Sequence, residues 1–505
     1  MAQGKVLRLR PAGSGPGAHF RVGIAYLAQQ KYDEALKEFQ EVLRQNPNMA
    51  PAYLRIGDVY FAQQHLDKAL DAYQRALRLN PKFAACHLKL GNLYALRKDH
   101  DAARAAYQRA IQLDSHMAAA HFKLGVLYFE HQQYDAALQA FATALALNPQ
   151  LLVAHVRMGD AYAAQERHER ALEKYQEALR FDPKMALAHV KIGDLSMKQG
   201  QLREALESYQ RALTIDPQMA LAYIRIGDVA LEEERPEDAI AYYEKALAMS
   251  PKPKLAFLAY VKLGNVCMQL QRPPQAISAF EAALNIRKDV AAVCVRLGNA
   301  YMSGQRYAEA LGAYESALRL KPESAQLHVK RGAALLALSR AAEALDAFRE
   351  AMRLDPQLPA AHVNIGEACL REQRYDEALD AFRAALGLNP KLGQAHLGIA
   401  DIHFARQQYD EAMDAYRAAV RSNPKSVRAH VRLGDLFFMK KQFSEARAEY
   451  QAAILLDAAN AAGHIGLGKV YQEEGRHEEA LAEFQAAYAI NPQLSEGQTA
   501  LARDN

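Results

Sequence analysis

The chain has 505 residues, 50% of them hydrophobic, and a formal net charge of +4 at neutral pH. That apolar content excludes a largely disordered chain, and so small a net charge argues against nucleic-acid or membrane binding by bulk electrostatics. The four cysteines, Cys86, Cys267, Cys294 and Cys369, are scattered without metal-type spacing, which fits small buried thiols in a reducing, cytoplasmic setting.

Residues 1–17 read as a flexible basic arm carrying Lys5, Arg8 and Arg10. The arm has no apolar core of the kind a secretory leader needs, and no run in the chain reaches membrane-spanning length. A glycine then recurs every 34 residues, at Gly23, Gly57, Gly91, Gly125, Gly159, Gly193 and Gly227. After three extra residues it resumes at Gly264, Gly298, Gly332 and Gly366, yields once to Ala400, and ends with Gly434 and Gly468. With this glycine numbered as position 8, position 20 is alanine in all fourteen units and position 24 is always aromatic, from Phe39 and Tyr73 to Phe484. Position 27 is alanine in thirteen units, and position 32 is proline in eleven.

This spacing predicts a helix pair per unit. Positions 4, 7, 8 and 11 share one face of a first helix, and positions 20, 24 and 27 one face of a second. Small residues at 8 and 20 allow close approach, the aromatic fills the volume beside them, and proline ends the second helix. Such a pair cannot bury its apolar face alone and must stack on its neighbours. Repeats one to seven occupy 18–251 and repeats eight to fourteen 255–492. The insertion Lys252-Pro253-Lys254 is expected to lengthen a loop, or to act as a hinge between two half-arrays. Because Pro16 and Gly17 open repeat one, its first helix is expected to be short. Residues 493–505, with Leu501 and Ala502 in first-helix register, are expected to form a polar capping helix.

The pattern resembles the tetratricopeptide repeat. The resemblance implies an all-α fold, a right-handed superhelical solenoid of antiparallel helix pairs whose first helices line a concave groove for peptides or proteins. One departure is systematic. Where the family often has tryptophan at position 4, ten units carry histidine: His19, His87, His121, His155, His189, His328, His362, His396, His430 and His464. The array also resembles that of O-linked N-acetylglucosamine transferase in length, but only Asn364 matches that protein's asparagine ladder at position 6. The tail after repeat fourteen is too short for a transferase domain, so that activity is not expected. Chaperone-binding members clamp carboxylates with lysine at position 5. Here position 5 is always apolar, so binding of Hsp70 or Hsp90 tails is not expected.

Position 6 is basic in eleven repeats, and position 9 is acidic in seven. The two lie one helical turn apart, so one reading of the charged residues is ion pairing within each helix, at about 0.2–0.5 kcal/mol a pair. The sharper reading rests on repeats where position 9 is uncharged: Lys89 with Asn92, Lys123 with Val126, Lys262 with Asn265, Arg296 with Asn299, and Lys330 with Ala333. There no carboxylate on the same helix neutralises the cation. Those side chains, with the apolar strip at position 5 and Phe61, Phe129, Met268 and Met302 at position 12, are the candidate groove for an extended, acidic partner.

The histidines stand one repeat apart, too far to share a metal ion in tetrahedral geometry, so they read as packing residues. Packed neutral, they would cost stability on acidification. The segment Gly463–Lys469 spells a phosphate-binding loop as far as its lysine, but Val470 replaces the hydroxyl residue and the segment falls inside a predicted helix. No catalytic motif and no cofactor are expected. The reading is a non-enzymatic scaffold or adaptor. Two alternatives stay open: a self-assembling structural protein in which copies form a homo-oligomer, and nucleic-acid binding through the basic ladder, which the acidic residues one turn away disfavour.

Overall fold

A computed structural model of the protein describes residues 15–492. They form 28 helices in chain order, and no strand occurs among the described residues. Fourteen antiparallel pairs result, each packed within itself and, inside each of the chain's two units, on the next pair, which is the all-α superhelical repeat fold. The chain divides into two compact units, Met1–Ser250 and Pro251–Asn505.

Thirteen of the first helices have 13 residues, as in Ala50–Ala62, and thirteen of the second helices have 14, as in Leu66–Leu79. Each repeat turns between them through position 15 in the left-handed region, with φ of 55–62° at non-glycine residues such as Gln64 and Lys98. Only Gly200 and Gly475 supply the residue best suited to that corner. The second helix stops before the proline of position 32. The Asn or Asp at position 31 folds its side chain back onto the backbone, as Asn80 Oδ1 accepts from Lys82 N at 3.1 Å and Asp182 Oδ1 from Lys184 N at 3.0 Å.

Two expectations change. The first helix of repeat one runs Pro16–Ala28, with the same 13 residues as its counterparts. Proline at the start of a helix gives up only an N–H that would have no helical partner, so it does not shorten the element. The insertion makes no longer loop. It is absorbed into the first helix of repeat eight, Pro253–Gln269, which has 17 residues and again begins on proline. The arm before residue 15 and the capping helix expected over 493–505 lie outside the described residues.

Inside each pair, position 20 is fully buried, as at Ala35, Ala69 and Ala103. The aromatic of position 24 lies against the periodic glycine. A Cβ added at Gly366 would come within 2.6 Å of Phe382 Cε1, and one at Gly264 equally close to Phe280. Within the first unit each first helix also approaches the first helix of the next repeat. No second helix meets its successor to that degree. The stack is therefore tighter on the first-helix side, and positions 2, 5, 6, 9, 12 and 13 line that side.

Gly366→Ala should destabilise the second unit by about 1–3 kcal/mol through overpacking against Phe382. Gly312, an exposed glycine inside Tyr307–Leu320 with nothing near its missing Cβ, gives the opposite sign. Gly312→Ala should stabilise by roughly 0.5–1 kcal/mol. Urea unfolding of the two variants checks both directions.

Candidate functional site: the first-helix groove

The groove chemistry starts in the core. Wherever position 24 is tyrosine, its hydroxyl emerges beside position 9 of the same repeat and donates a hydrogen bond to it. The pairs are Tyr73–Asp58, Tyr107–Asn92, Tyr175–Asp160, Tyr209–Asp194, Tyr243–Asp228, Tyr314–Asn299, Tyr416–Asp401 and Tyr450–Asp435, at 2.6–3.0 Å. Burial pushes Tyr107 and Tyr314 up to about 12, and raises the tyrosines facing carboxylates too, with the aspartate adding to burial. The phenols are thus donors at every ordinary pH. Where position 24 is phenylalanine, position 9 is released from this duty: Ile24, Val126, Asn265, Ala333, Glu367 and Lys469 stand there. This pairing across 15 residues is visible in the sequence as covariation between positions 9 and 24, a signal that reading position 9 with position 6 alone misses.

Two of these carboxylates, Asp58 and Asp160, collect cations from two repeats. Asp58 takes Arg55 from its own helix at 3.0 Å and Lys89 from the next repeat at 3.1 Å. Asp160 likewise takes Arg157 at 3.1 Å and Lys191 at 3.0 Å, while Arg225 spans Asp194 at 2.8 Å and Asp228 at 3.3 Å. The expectation that Lys89 lacks a neutralising carboxylate is therefore corrected. Its partner lies in the preceding repeat, 31 positions back, where a search along one helix does not look. Lys330 is held in the same way, donating to Asn299 Oδ1 at 3.0 Å. Asn92 and Asn299 already accept from tyrosine hydroxyls.

The remaining site residues divide by exposure. Lys123 and Arg296 are exposed and have no ion-pair or hydrogen-bond partner among the described residues. Asn265, opposite Phe280, has no hydroxyl to accept from and is exposed. Lys262 is half-buried, as are Phe61, Phe129, Met268 and Met302. Phe61, Asn92 and Lys123, from three successive repeats, line one cavity of about 370 Å³ together with Tyr107 and Glu130. Phe129 lines the next, of about 310 Å³, with the Arg157–Asp160–Lys191 rung. The apolar strip at position 5 is partly corrected. Leu54, Val156, Val190, Ile224 and Val363 are buried between helices and offer nothing to a ligand.

The histidines have a role beyond filling volume. Nε2 of His87, His121, His328 and His396 lies 3.1–3.2 Å from the carbonyl at position 32 of the preceding repeat, so the ring ties the first helix to the preceding turn. A second partner does recur at some of them. Nδ1 meets a glutamate of the second helix in His19–Glu38 and His430–Glu449, both at 2.6 Å, and in His155–Glu177 at 3.1 Å. Burial lowers the pKa of His155, against the pull of Glu177, and that of His189. The segment Gly463–Lys469 is continuous helix within Ala461–Glu473. The four cysteines are free and buried. No described helix is long and apolar enough to cross a membrane, and no group of three metal-ligating side chains forms among the described residues.

Family models of the tetratricopeptide repeat match residues 6–50, 20–82, 54–118, 88–151, 156–220 and 224–291, and again 461–494. A model described as the C-terminal domain of cilia and flagella-associated protein 70 matches residues 263–465. No curated protein matches the chain. Among solved structures it is similar to yeast Tom70, at 16% identity over 76% of this chain and 94% of that one, with a TM-score of 0.45. It is similar to the anaphase-promoting-complex hetero-tetramer Cut9–Hcn1, at 15% identity over 94% of each chain and a TM-score of 0.45. It also resembles the MamA protein, at 24% identity over 34% of this chain and 93% of that one, with a TM-score of 0.30.

Two outcomes follow for stability. Tyr107→Phe and Asn92→Val should each destabilise by about 1 kcal/mol, and the double variant, which reproduces the Phe141–Val126 pair of repeat four, should cost less than the sum. A double-mutant cycle by denaturant unfolding measures that coupling. For His155 and His189 the folded pKa lies below the unfolded value of about 6.5, so the unfolded chain binds more protons in acid. Their contribution is intact above pH 6.5 and is lost as pH falls through the lowered folded values. The drop in melting temperature from pH 7.5 to pH 5 should therefore be smaller in His155→Gln/His189→Gln than in the unmodified protein.

Proposed function

The chain belongs to the tetratricopeptide repeat family, whose arrays serve as protein-interaction scaffolds, and on that premise we propose that it is a non-enzymatic scaffold gripping an extended, acidic protein segment along its first helices. The observation that carries this reading is the split within the basic ladder. Lys89, Lys191, Arg225 and Lys330 close rungs to the preceding repeat and Arg55, Arg157 and Arg432 pair within their own helix, whereas Lys123 and Arg296, like Arg21 in repeat one, are exposed and uncommitted among the described residues. A cation already held by a carboxylate gains little from an acidic ligand, because the ligand must replace an existing pair. An unpaired cation gains the whole charge-assisted bond.

The cavity around Lys123 adds the apolar part. Phe61 and Tyr107 supply aromatic surface beside the ammonium, and Asn92 presents an amide nitrogen not needed by the tyrosine. Lys123 and Arg296 stand in different units, so each is an independent contact on its own stretch of groove. Because the helices are already packed, binding orders the ligand more than the receptor.

With the partner isolated by affinity capture and identified by mass spectrometry, titration calorimetry should separate two classes of variant. Lys123→Glu and Arg296→Glu should each weaken binding about tenfold, roughly 1.4 kcal/mol, with unchanged helicity. Lys89→Ala should lower the melting temperature and leave affinity within about twofold. Unchanged affinity in both charge reversals contradicts the reading.

A further inference from the structure

The junction of repeats thirteen and fourteen departs from every rung described above. Its cavity, between Val427–Met439 and Ala461–Glu473, has a volume of about 720 Å³, against about 370 and 310 Å³ for the two groove cavities of the first unit. Position 6 of repeat fourteen helps to open it. Gly466 stands where eleven of the fourteen repeats carry lysine or arginine, and a Cβ there would overlap the ring of Tyr450 in the preceding repeat, as one at Gly398 of repeat twelve would overlap Phe382. The helix backbone therefore rides on that ring, and no side chain crosses the groove.

Position 9 is reversed at the same place. Seven repeats have an acid there, whereas repeat fourteen has Lys469, which lines the cavity, is exposed and has no hydrogen-bond or ion-pair partner among the described residues. Arg432 faces it from repeat thirteen, 3.5 Å from Asp435 Oδ2. Asp435 is occupied from within by the Tyr450 hydroxyl, which donates to it at 2.8 Å, and burial raises its pKa. Arg428 lines the same space and is tied to Asp401 at 2.6 Å, while Asp457 is turned to the backbone N–H of Ala459 at 3.0 Å. Three cations thus face the cavity against two carboxylates, both engaged. Phe438, Ile465 and the half-exposed Met439 supply an apolar wall next to the charges.

We propose that this cavity is a second anchoring site, distinct from the Lys123 cavity, for a segment of a protein partner that carries a glutamate or aspartate side chain beside a large apolar side chain. The carboxylate is received by Lys469, and the apolar side chain enters the space that Gly466 leaves open, against Phe438, Met439 and Ile465. The proposal deepens the scaffold reading and rests on it, but it depends on residues that the Lys123 and Arg296 contacts do not use.

The test uses the full chain and three labelled peptides, acetylated and amidated at their ends, identical except for a central Glu-Leu, Gln-Leu or Lys-Leu pair. Fluorescence anisotropy should rank them Glu over Gln over Lys, with affinity for the Glu peptide falling as salt rises. Lys469→Glu should weaken the Glu peptide about tenfold and improve the Lys peptide, whereas Lys469→Arg should keep the original order. Lys469 is exposed, so circular dichroism should show both variants fully helical. Equal binding of the Glu and Lys peptides, no binding of any of them, or a Glu-peptide affinity untouched by Lys469→Glu overturns the proposal. If captured partner is still weakened by Lys123→Glu in that case, the scaffold reading stands without this site. If neither substitution matters, both fall.

Discussion

The array depends on one close contact, the bare Cα of position 8 against the edge of the position-24 ring. In thirteen repeats the glycine leaves no room for a Cβ, as the overlap of an added one with Tyr175, Tyr209 or Phe348 shows; in repeat twelve Ala400 is accommodated against Tyr416. The same approach aims the far end of the ring at position 9, one residue past the glycine. A tyrosine there brings a hydroxyl into a half-buried place, and a half-buried hydroxyl needs an acceptor. The aspartate column on the groove side is thus a consequence of core packing, set residue by residue by whether the ring bears oxygen.

The charge pattern follows from that column. At Asp58 and Asp160 the oxygen that accepts from the phenol also meets the position-6 lysine of the next repeat, and the second oxygen takes the position-6 arginine of its own. Each such rung stitches adjacent repeats on their inner side, where consecutive first helices come together. Exposed ion pairs contribute little singly, but these lie on half-buried carboxylates such as Asp58 and Asp160 and share partners. Most of the basic ladder is accordingly part of the scaffold's own structure. In the proposed reading, recognition falls to the exceptions: uncommitted cations such as Lys123 beside Val126, and Arg296, and the repeat where the pattern inverts at Gly466 and Lys469.

The helix pairs and their stacking were legible in the sequence because a strict 34-residue period reports a unit that packs on copies of itself. The buried alanines and the glycine–aromatic contact followed from side-chain size. The tyrosine–aspartate pairing was equally present as covariation between positions 9 and 24, and could have been read. What the sequence did not disclose is which repeat a long side chain reaches into. Lys89 is three residues from Asn92 along its own helix, yet it bonds to Asp58 across the groove, a geometry set by how successive first helices stack. The histidines were legible as packing residues but not as ties to the preceding turn, since Nε2 meets a backbone carbonyl that any residue would supply. The insertion at Lys252-Pro253-Lys254 disclosed its place but not its form, because proline opens a helix as readily as it ends one.

The claim that the ladder is divided into structural rungs and free cations can be read in one measurement, the rate at which each lysine of the native protein is acetylated, followed by mass spectrometry with and without the captured partner. The account predicts slow modification at Lys89, Lys191 and Lys330, whose ammonium groups are held by Asp58, Asp160 and Asn299, and fast modification at Lys123. It further predicts that the partner protects Lys123 and leaves the three rung lysines unchanged. Rung lysines that react as fast as Lys123, or a partner that shields them while Lys123 stays open, would contradict it.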